Sequence, residues 1–386
     1  MRKFFLILVG SILLLLTAAG LLFYPQIKQR WETPLGPGLE LPSRTPVQAA
    51  ALPPSTNAPK ATIFPQEDLE TEEPDASEQP FSLFTQTPAS TATPAPLCGG
   101  PPVTTVLGIG ADSGIDYRYG LADVIRIVRV DFVTPKVSVL SIPRDLWVEI
   151  PGIEDHDITH GKLNQAYFYG GEGMGYYDGP GAGPGLLART LDQNFGLAVD
   201  HYGAVNMQTF VKMVDAVGGI DLYLPNDVDG SPVDERTIDL GYFNAGNQHL
   251  SGEAALRLAR IRKRYNDFTR MDHQNMVLCA LKEKLLSPSV LPRIPAIISS
   301  FQGSILTDLS PEQIGQMACL LPHLERENLL FTSLPDDLFS PGRVMSPQLG
   351  KTTFVLEADF SEIRDYVNRF VAGEWPTEPS EETSCP

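Results

Sequence analysis

Short apolar runs and helical periodicities alternate along the chain from Val103 onward. Val103 to Ile109, Val124 to Phe132 and Val137 to Ile142 are dense in β-branched residues and bounded by Gly, Asp and Pro, which predicts three strands in close succession. Farther on the period changes. Thr209 to Val217 repeats at helical spacing and leads through Gly218-Gly219 into another strand, Ile220 to Leu224. Ser251 is a natural N-cap for a helix reaching Arg264, with Ala254, Leu256, Leu258 and Ile261 on an apolar stripe. Met271 to Leu286 and Pro311 to Leu321 read as helices. Leu329 to Leu334, Phe354 to Glu357 and Ser361 to Phe370 close the pattern with strands and a helix. The alternation over residues 103–372 predicts one α/β domain, a mixed central β-sheet with helices on both faces in a three-layer αβα arrangement.

Outside that domain the pattern stops. Phe4 to Tyr24 is a run of 21 uncharged, mostly apolar residues behind Arg2 and Lys3, long enough to cross a bilayer core of ~30 Å. Thr17-Ala18-Ala19 resembles a signal-peptide cleavage site. The apolar run continues past it to Tyr24, so the expectation is an uncleaved anchor at residues 1–24, a single-pass protein of a bacterial cytoplasmic membrane with its N-terminus inside and its domain outside. Residues 25–102 hold 16 of the 34 prolines, with Ser, Thr and an acidic run. Such composition cannot bury enough apolar surface to fold and reads as an extracytoplasmic linker, able to hold a domain on the order of 100 Å from the bilayer. Residues 373–386 form a polar tail.

Charge and cysteine content narrow the chemistry. A net charge of −18 over 386 residues argues against nucleic acid as a partner, because phosphate-backbone affinity needs a basic surface. Cys98, Cys279, Cys319 and Cys385 are too dispersed for a zinc module. In an exported domain a Cys279–Cys319 disulfide is expected from their helices, with Cys98 and Cys385 as a second pair; buried free thiols are the alternative.

Three further signals carry little chemistry. Gly110-Ala111-Asp112-Ser113-Gly114 looks like a nucleophilic-serine motif but lacks a positioned histidine base. His156 and His160 read as solvated loop residues, and the glycines from Gly170 to Gly185 as a mobile loop beside a pocket. A stronger constellation pairs acids at strand ends with arginines. Asp112 follows the first strand and Asp123 begins the second; if those strands are neighbours, both carboxylates can reach one hard cation such as Mg²⁺, the alternative being two acids that cap turns at strand ends. Arg144 follows a strand in Ser141-Ile142-Pro143-Arg144-Asp145. Arg257, Arg260, Arg262, Lys263, Arg264 and Arg270 then concentrate positive charge in an otherwise acidic chain. Solvated helix charge is the ordinary reading of such a run, but guanidinium groups pair bidentately with phosphoryl oxygens, and the surrounding acidity favours a phosphate or pyrophosphate site.

Taken together, Ser141 to Asp145, Lys162-Leu163-Asn164-Gln165-Ala166-Tyr167, Val214 to Ile220, Gln248 to Leu256 with Arg260-Ile261-Arg262, and Asp267-Phe268-Thr269-Arg270 with Gln274 resemble the LytR-CpsA-Psr family of cell-wall ligases. The resemblance implies a phosphotransferase that moves a glycopolymer from a polyprenyl-pyrophosphate carrier onto a wall acceptor such as peptidoglycan. It implies Asp112 and Asp123 as ligands of Mg²⁺ or Mn²⁺, and Arg144, Arg260, Arg262, Arg270 and Gln274 as pyrophosphate-binding residues. Asp123 and Arg144 would take catalytic roles. A non-catalytic polyprenyl-phosphate-binding sensor or scaffold is the alternative from another class. Two departures stand out. Leu121 occupies a position where the family commonly has arginine, with Arg118 the nearest replacement. His273 precedes Gln274 where an arginine is usual, which makes one positive charge pH-dependent. Lys162 and Asn164 fit the family pattern and are expected to fix a loop.

Overall fold

A computed structural model of the chain describes residues 25, 26, 28–39, 41, 94–235, 237–262, 267–294, 296, 297, 301, 303–346 and 350–376. The expected anchor at 1–24 and the tail beyond 376 lie outside these residues, as does nearly all of 42–93. Among the described residues no helix is long and apolar enough to cross a membrane.

The three strands read from the sequence form as β1 (Val103–Ala111), β2 (Ala122–Asp131) and β3 (Lys136–Ser141). A small hairpin, β4 (Trp147–Glu149) with β5 (His160–Lys162), precedes helices α1 (Leu163–Gly170) and α2 (Ala182–Phe195). Then come β6 (His201–Asn206), α3 (Met207–Ala216), β7 (Ile220–Leu224), the β8 (Val228–Asp229) and β9 (Tyr242–Phe243) pair, and β10 (Gly246–Leu250). Helices α4 (Gly252–Arg260) and α5 (Asp267–Leu285) follow, and β11 (Leu306–Thr307), α6 (Pro311–Leu320), β12 (Leu329–Ser333), the β13 (Phe339–Ser346) and β14 (Lys351–Ala358) hairpin, and α7 (Phe360–Ala372) complete the domain.

Six strands make the central sheet in the order β11-β6-β1-β2-β3-β12. β1 runs parallel to β6 and β3 parallel to β12, whereas β2 is antiparallel to both neighbours, so the sheet is mixed. Strand alternation sends Leu107, Ile109, Ile125, Ile127 and Leu140 to one face, where they pack on Tyr167 of α1, Leu187 and Leu191 of α2, and α7. Helix α7 contributes Ile363, Val367 and Phe370, spaced four and three apart and all fully buried; each such side chain contributes ~1.5–3 kcal/mol through burial. The opposite face carries Val139 and Phe331 under α5, and Val130 and Phe132 under α6. The three-layer expectation is met. Beside it, α3, α4 and α5 build a second core with β7 and β10 around Val214, Ile220, Leu250, Leu258 and Val277.

Two features correct the sequence reading. Cys319 of α6 is bonded to Cys98, not to Cys279, and Cys98 therefore cannot pair with Cys385. The reason is local: the Leu97–Gly99 turn is tied to the end of β2 by the Leu97 amide donating to Phe132 (2.8 Å), which sets Cys98 beside α6 at a Cα separation of 5.9 Å. Cys279 is buried elsewhere on that face, against Val139 and Phe331, and is disulfide-bonded as well; Cys385 lies outside the described residues. The glycine run at 170–185 is not simply a loop. Gly170 and Gly183 allow α1 and α2 to touch: a Cβ on Gly170 would sit 2.7 Å from the Leu186 Cβ, and one on Gly183 2.7 Å from the Tyr167 carbonyl.

Residues 28–39 and 41, which composition places in the linker, lie on the domain. The Leu35 amide donates to the Leu309 carbonyl (3.2 Å), the Tyr202 hydroxyl donates to Pro37 (3.1 Å), and Leu39 and Leu41 pack on the main core.

Candidate functional site

The carboxyl ends of the parallel strands β1, β3, β6 and β12 share one edge of the sheet, the side on which open α/β sheets bind ligands. Asp112 leaves β1 there. At the start of β2 the pairing passes from Gly110↔Val124 to Ala111↔Ala122, so Asp123 is the extra residue of a β-bulge, a device that re-aims a side chain beside a functional site. Arg144 arrives three residues past the end of β3, and its Nη1 donates to Asp123 Oδ1. The two predicted residues from separate strands are thus in contact.

Arg144 is itself held. Its Nε lies 3.5 Å from Asp145 Oδ2, and Lys162 Nζ approaches Asp145 Oδ1 at 2.6 Å. All three side chains are largely buried. The Asn164 amide donates to the Arg144 carbonyl (3.1 Å). The Lys162 amide donates to Gln165 Oε1 (2.8 Å), which closes the N-terminus of α1. Lys162 and Asn164 fix the segment that carries Arg144.

Asp112 sits one residue beyond the Ala111↔Ala122 pair, on the strand next to Asp123. Its carboxylate is exposed and has no hydrogen bond or ion pair to a described residue. The Asp112 amide donates to Leu121 (2.9 Å), a closure that requires Gly120: at φ +133° a Cβ there would lie 2.3 Å from the Asp112 carbonyl. Tyr117 pins the same loop, donating to Ser304 (2.7 Å) and accepting from the Asn206 amide (3.0 Å). The donor set, two carboxylates with three of four oxygens uncommitted to described residues, fits a hard divalent cation.

Among the predicted pyrophosphate ligands, Arg270 and Gln274 lie one turn apart on α5 and are buried. Arg260 ends α4 half-buried, and Arg262 lies exposed two residues beyond it. The helix thus stops four residues short of the Arg264 read from the sequence, which lies outside the described residues. Arg118 is exposed; its carbonyl accepts from Gly173 (3.0 Å), and its guanidinium meets no described partner. His273 is buried, and that burial pushes its imidazole below the ordinary value despite a hydrogen bond to the Ile261 backbone. Arg126 was not read from the sequence as a site residue. It is 5% exposed, and Nη2 donates to Gln274 Oε1 (3.2 Å). Its signal was a charge on the face of β2 that otherwise carries Val124, Val128 and Val130. His156 and His160 stack on different rings, Tyr176 and Trp147.

Comparison with known proteins places the chain. The model described as the LytR_cpsA_psr family matches residues 81–362, and the chain belongs to the LytR-CpsA-Psr family. It is 31% identical over 215 residues to the polyisoprenyl-teichoic acid–peptidoglycan teichoic acid transferase TagU of Bacillus cereus, covering 55% of this chain and 63% of that one. It is 28% identical over 214 residues to the regulatory protein MsrR of Staphylococcus aureus, covering 55% and 58%. The chain thus spans less than two thirds of either relative. The crystal structure of Bacillus subtilis TagV superposes with a TM-score of 0.53 at 25% identity, over 70% of this chain and 97% of that one.

Proposed function

We propose that this chain is an envelope transferase that moves a wall glycopolymer from a polyprenyl-pyrophosphate carrier onto a peptidoglycan acceptor, acting outside a membrane in which residues 1–24 anchor it. The observation that carries the reading is the burial of Arg144 and Arg270, 7% and 4% exposed, near the carboxyl edge of the sheet where two acids stand at the ends of neighbouring strands. Buried cations beside oxygen donors suit a diphosphate better than a neutral ligand. The name of the Bacillus cereus relative supports the glycopolymer and the acceptor.

In this reading the acceptor hydroxyl attacks the phosphorus bonded to the glycopolymer. A new P–O bond forms, the bond to polyprenyl phosphate breaks with its electron pair, and the hydroxyl proton passes to a carboxylate of the Asp112–Asp123 pair. Arg144, aimed by Asp123 and Asp145, meets the charge that builds on the phosphoryl oxygens, a contact stronger in the transition state than in the bound donor. Asp112 and Asp123 would hold Mg²⁺ or Mn²⁺, which when bound adds positive charge beside the phosphates.

The test is release of polyprenyl phosphate from a synthetic glycosylated pyrophosphate donor when a peptidoglycan fragment is added. A second reading, a regulatory protein that binds the lipid without transferring anything, is favoured by the name of the Staphylococcus relative. Saturable donor binding with no release in Mg²⁺ would select it.

A further inference from the structure

One transverse row of the sheet is unlike its neighbours. Gly203 of β6, Gly108 of β1, Arg126 of β2, Ser141 of β3 and Ser333 of β12 stand directly opposite one another in register, so they share the face that α5 covers. The adjoining row, His201, Val106, Val128, Val139 and Phe331, is apolar except at its β6 end, where His201 meets Asp308 (3.3 Å). A Cβ on Gly203 would meet nothing within 4 Å, and one on Gly108 would make only ordinary contacts with Arg126 and Val128. The row is therefore a shallow trough with a single cation in it.

Two buried polar atoms in that trough lack a hydrogen-bond partner among the described residues. Ser141 Oγ belongs to a fully buried residue, and Arg126 Nε to one that is 5% exposed. Among the described residues the guanidinium makes one hydrogen bond, to Gln274 on α5, and Gln274 in turn donates to the Ala259 carbonyl (3.3 Å). Arg270, one turn earlier on the same helix, repels it; Asp272, exposed, is the carboxylate that attracts it. Burial first, and Arg270 second, push the Arg126 guanidinium down to about 9. A guanidinium left beside a second one in a low-dielectric site, with a donor to spare, is costly unless an anion joins it.

We propose that Arg126 and Ser141 form an anion seat on the sheet, adjoining Arg270 and Gln274, that binds a phosphoryl group of the donor diphosphate directly. This rests on the diphosphate reading above and adds to it a contact residue from the middle of a strand. It also supplies a cation in the neighbourhood where His273 is neutral.

The experiment titrates inorganic pyrophosphate, and separately a short-chain prenyl pyrophosphate, into the full chain in detergent by calorimetry, with melting curves of each variant. Arg126→Met should weaken both ligands at least tenfold and Ser141→Ala severalfold. The ligand-free melting temperature of Arg126→Met should stay level or rise, because a buried repelled charge has been removed. Arg126→Lys, which keeps the charge and loses the fork, should fall between wild type and Arg126→Met; together with Ser141→Ala it carries the test if Arg126→Met does not fold.

Wild-type affinity in folded Arg126→Met overturns the seat, while a simultaneous loss in Arg144→Ala leaves the diphosphate reading standing. Failure of wild type to bind either ligand overturns both. Equal losses in Gln274→Ala and Arg126→Met, with no further loss in the double variant, would make Arg126 a support for Gln274 and overturn direct contact. Loss for inorganic pyrophosphate alone would overturn the assignment to the donor.

Discussion

Arg144 is the side chain whose surroundings say most. It follows a strand, touches the bulged Asp123, and is steadied by Asp145, which Lys162 holds in turn. Lys162→Met should therefore lower transfer without touching the donor, by on the order of tenfold as the arginine loses its orientation; turnover measured beside pyrophosphate affinity checks this, with affinity falling less than rate. His273 makes a separate, pH-readable prediction. Its folded-state value lies below 6.5, so the unfolded chain takes up the proton first, and the stability present above that pH is lost as pH falls through it. Melting temperature should drop from pH 7.5 to 5.5, and more shallowly in His273→Gln. The approach of Arg144 to Asp123 was legible because both stand at strand ends, whereas Gln274 and its pairing with Arg270 entered only through the family resemblance. Arg126 was not legible, because a lone arginine on a strand is ordinarily a solvated edge charge, and only the covering helix buries it.

At the scale of elements, the bulge in β2 and the Gly120 closure set where the acids stand. Gly120→Ala would force a Cβ into the Asp112 carbonyl and demand a left-handed φ of an L residue. We expect a folded protein with displaced Asp112 and weakened Mg²⁺ dependence of turnover, which a metal titration of rate would report. Most elements were readable from period and caps: Ser251 accepts from the Ala254 amide as expected of an N-cap, and β1 to β3 fall where β-branched runs predicted them. The α1–α2 contact was hidden, since glycines that permit close helix approach have the same composition as glycines that loosen a loop.

At the scale of the whole molecule, two ties between described residues lie outside the sheet. Residues 35–37 are strapped to it near β11, and the Cys98–Cys319 bond joins positions 221 residues apart. Closing so long a loop removes much unfolded-state freedom, so Cys98→Ser should cost ~2–4 kcal/mol of unfolding free energy; chemical denaturation of the two proteins measures it, and non-reducing peptide mapping should recover a 98–319 link. Neither tie was legible in composition, because pairing depends on where the Leu97–Gly99 turn docks. The domain these ties close presents one edge of chemistry, and the central claim is that Arg144 stabilises the transfer there. The direct measurement is the rate of polyprenyl phosphate release by wild type and by Arg144→Ala and Arg144→Lys, each shown by circular dichroism to be folded. Removing such an electrostatic donor should slow release on the order of a hundredfold, with little rescue by lysine, which lacks the bidentate fork. Near-wild-type release from folded Arg144→Ala would contradict the account.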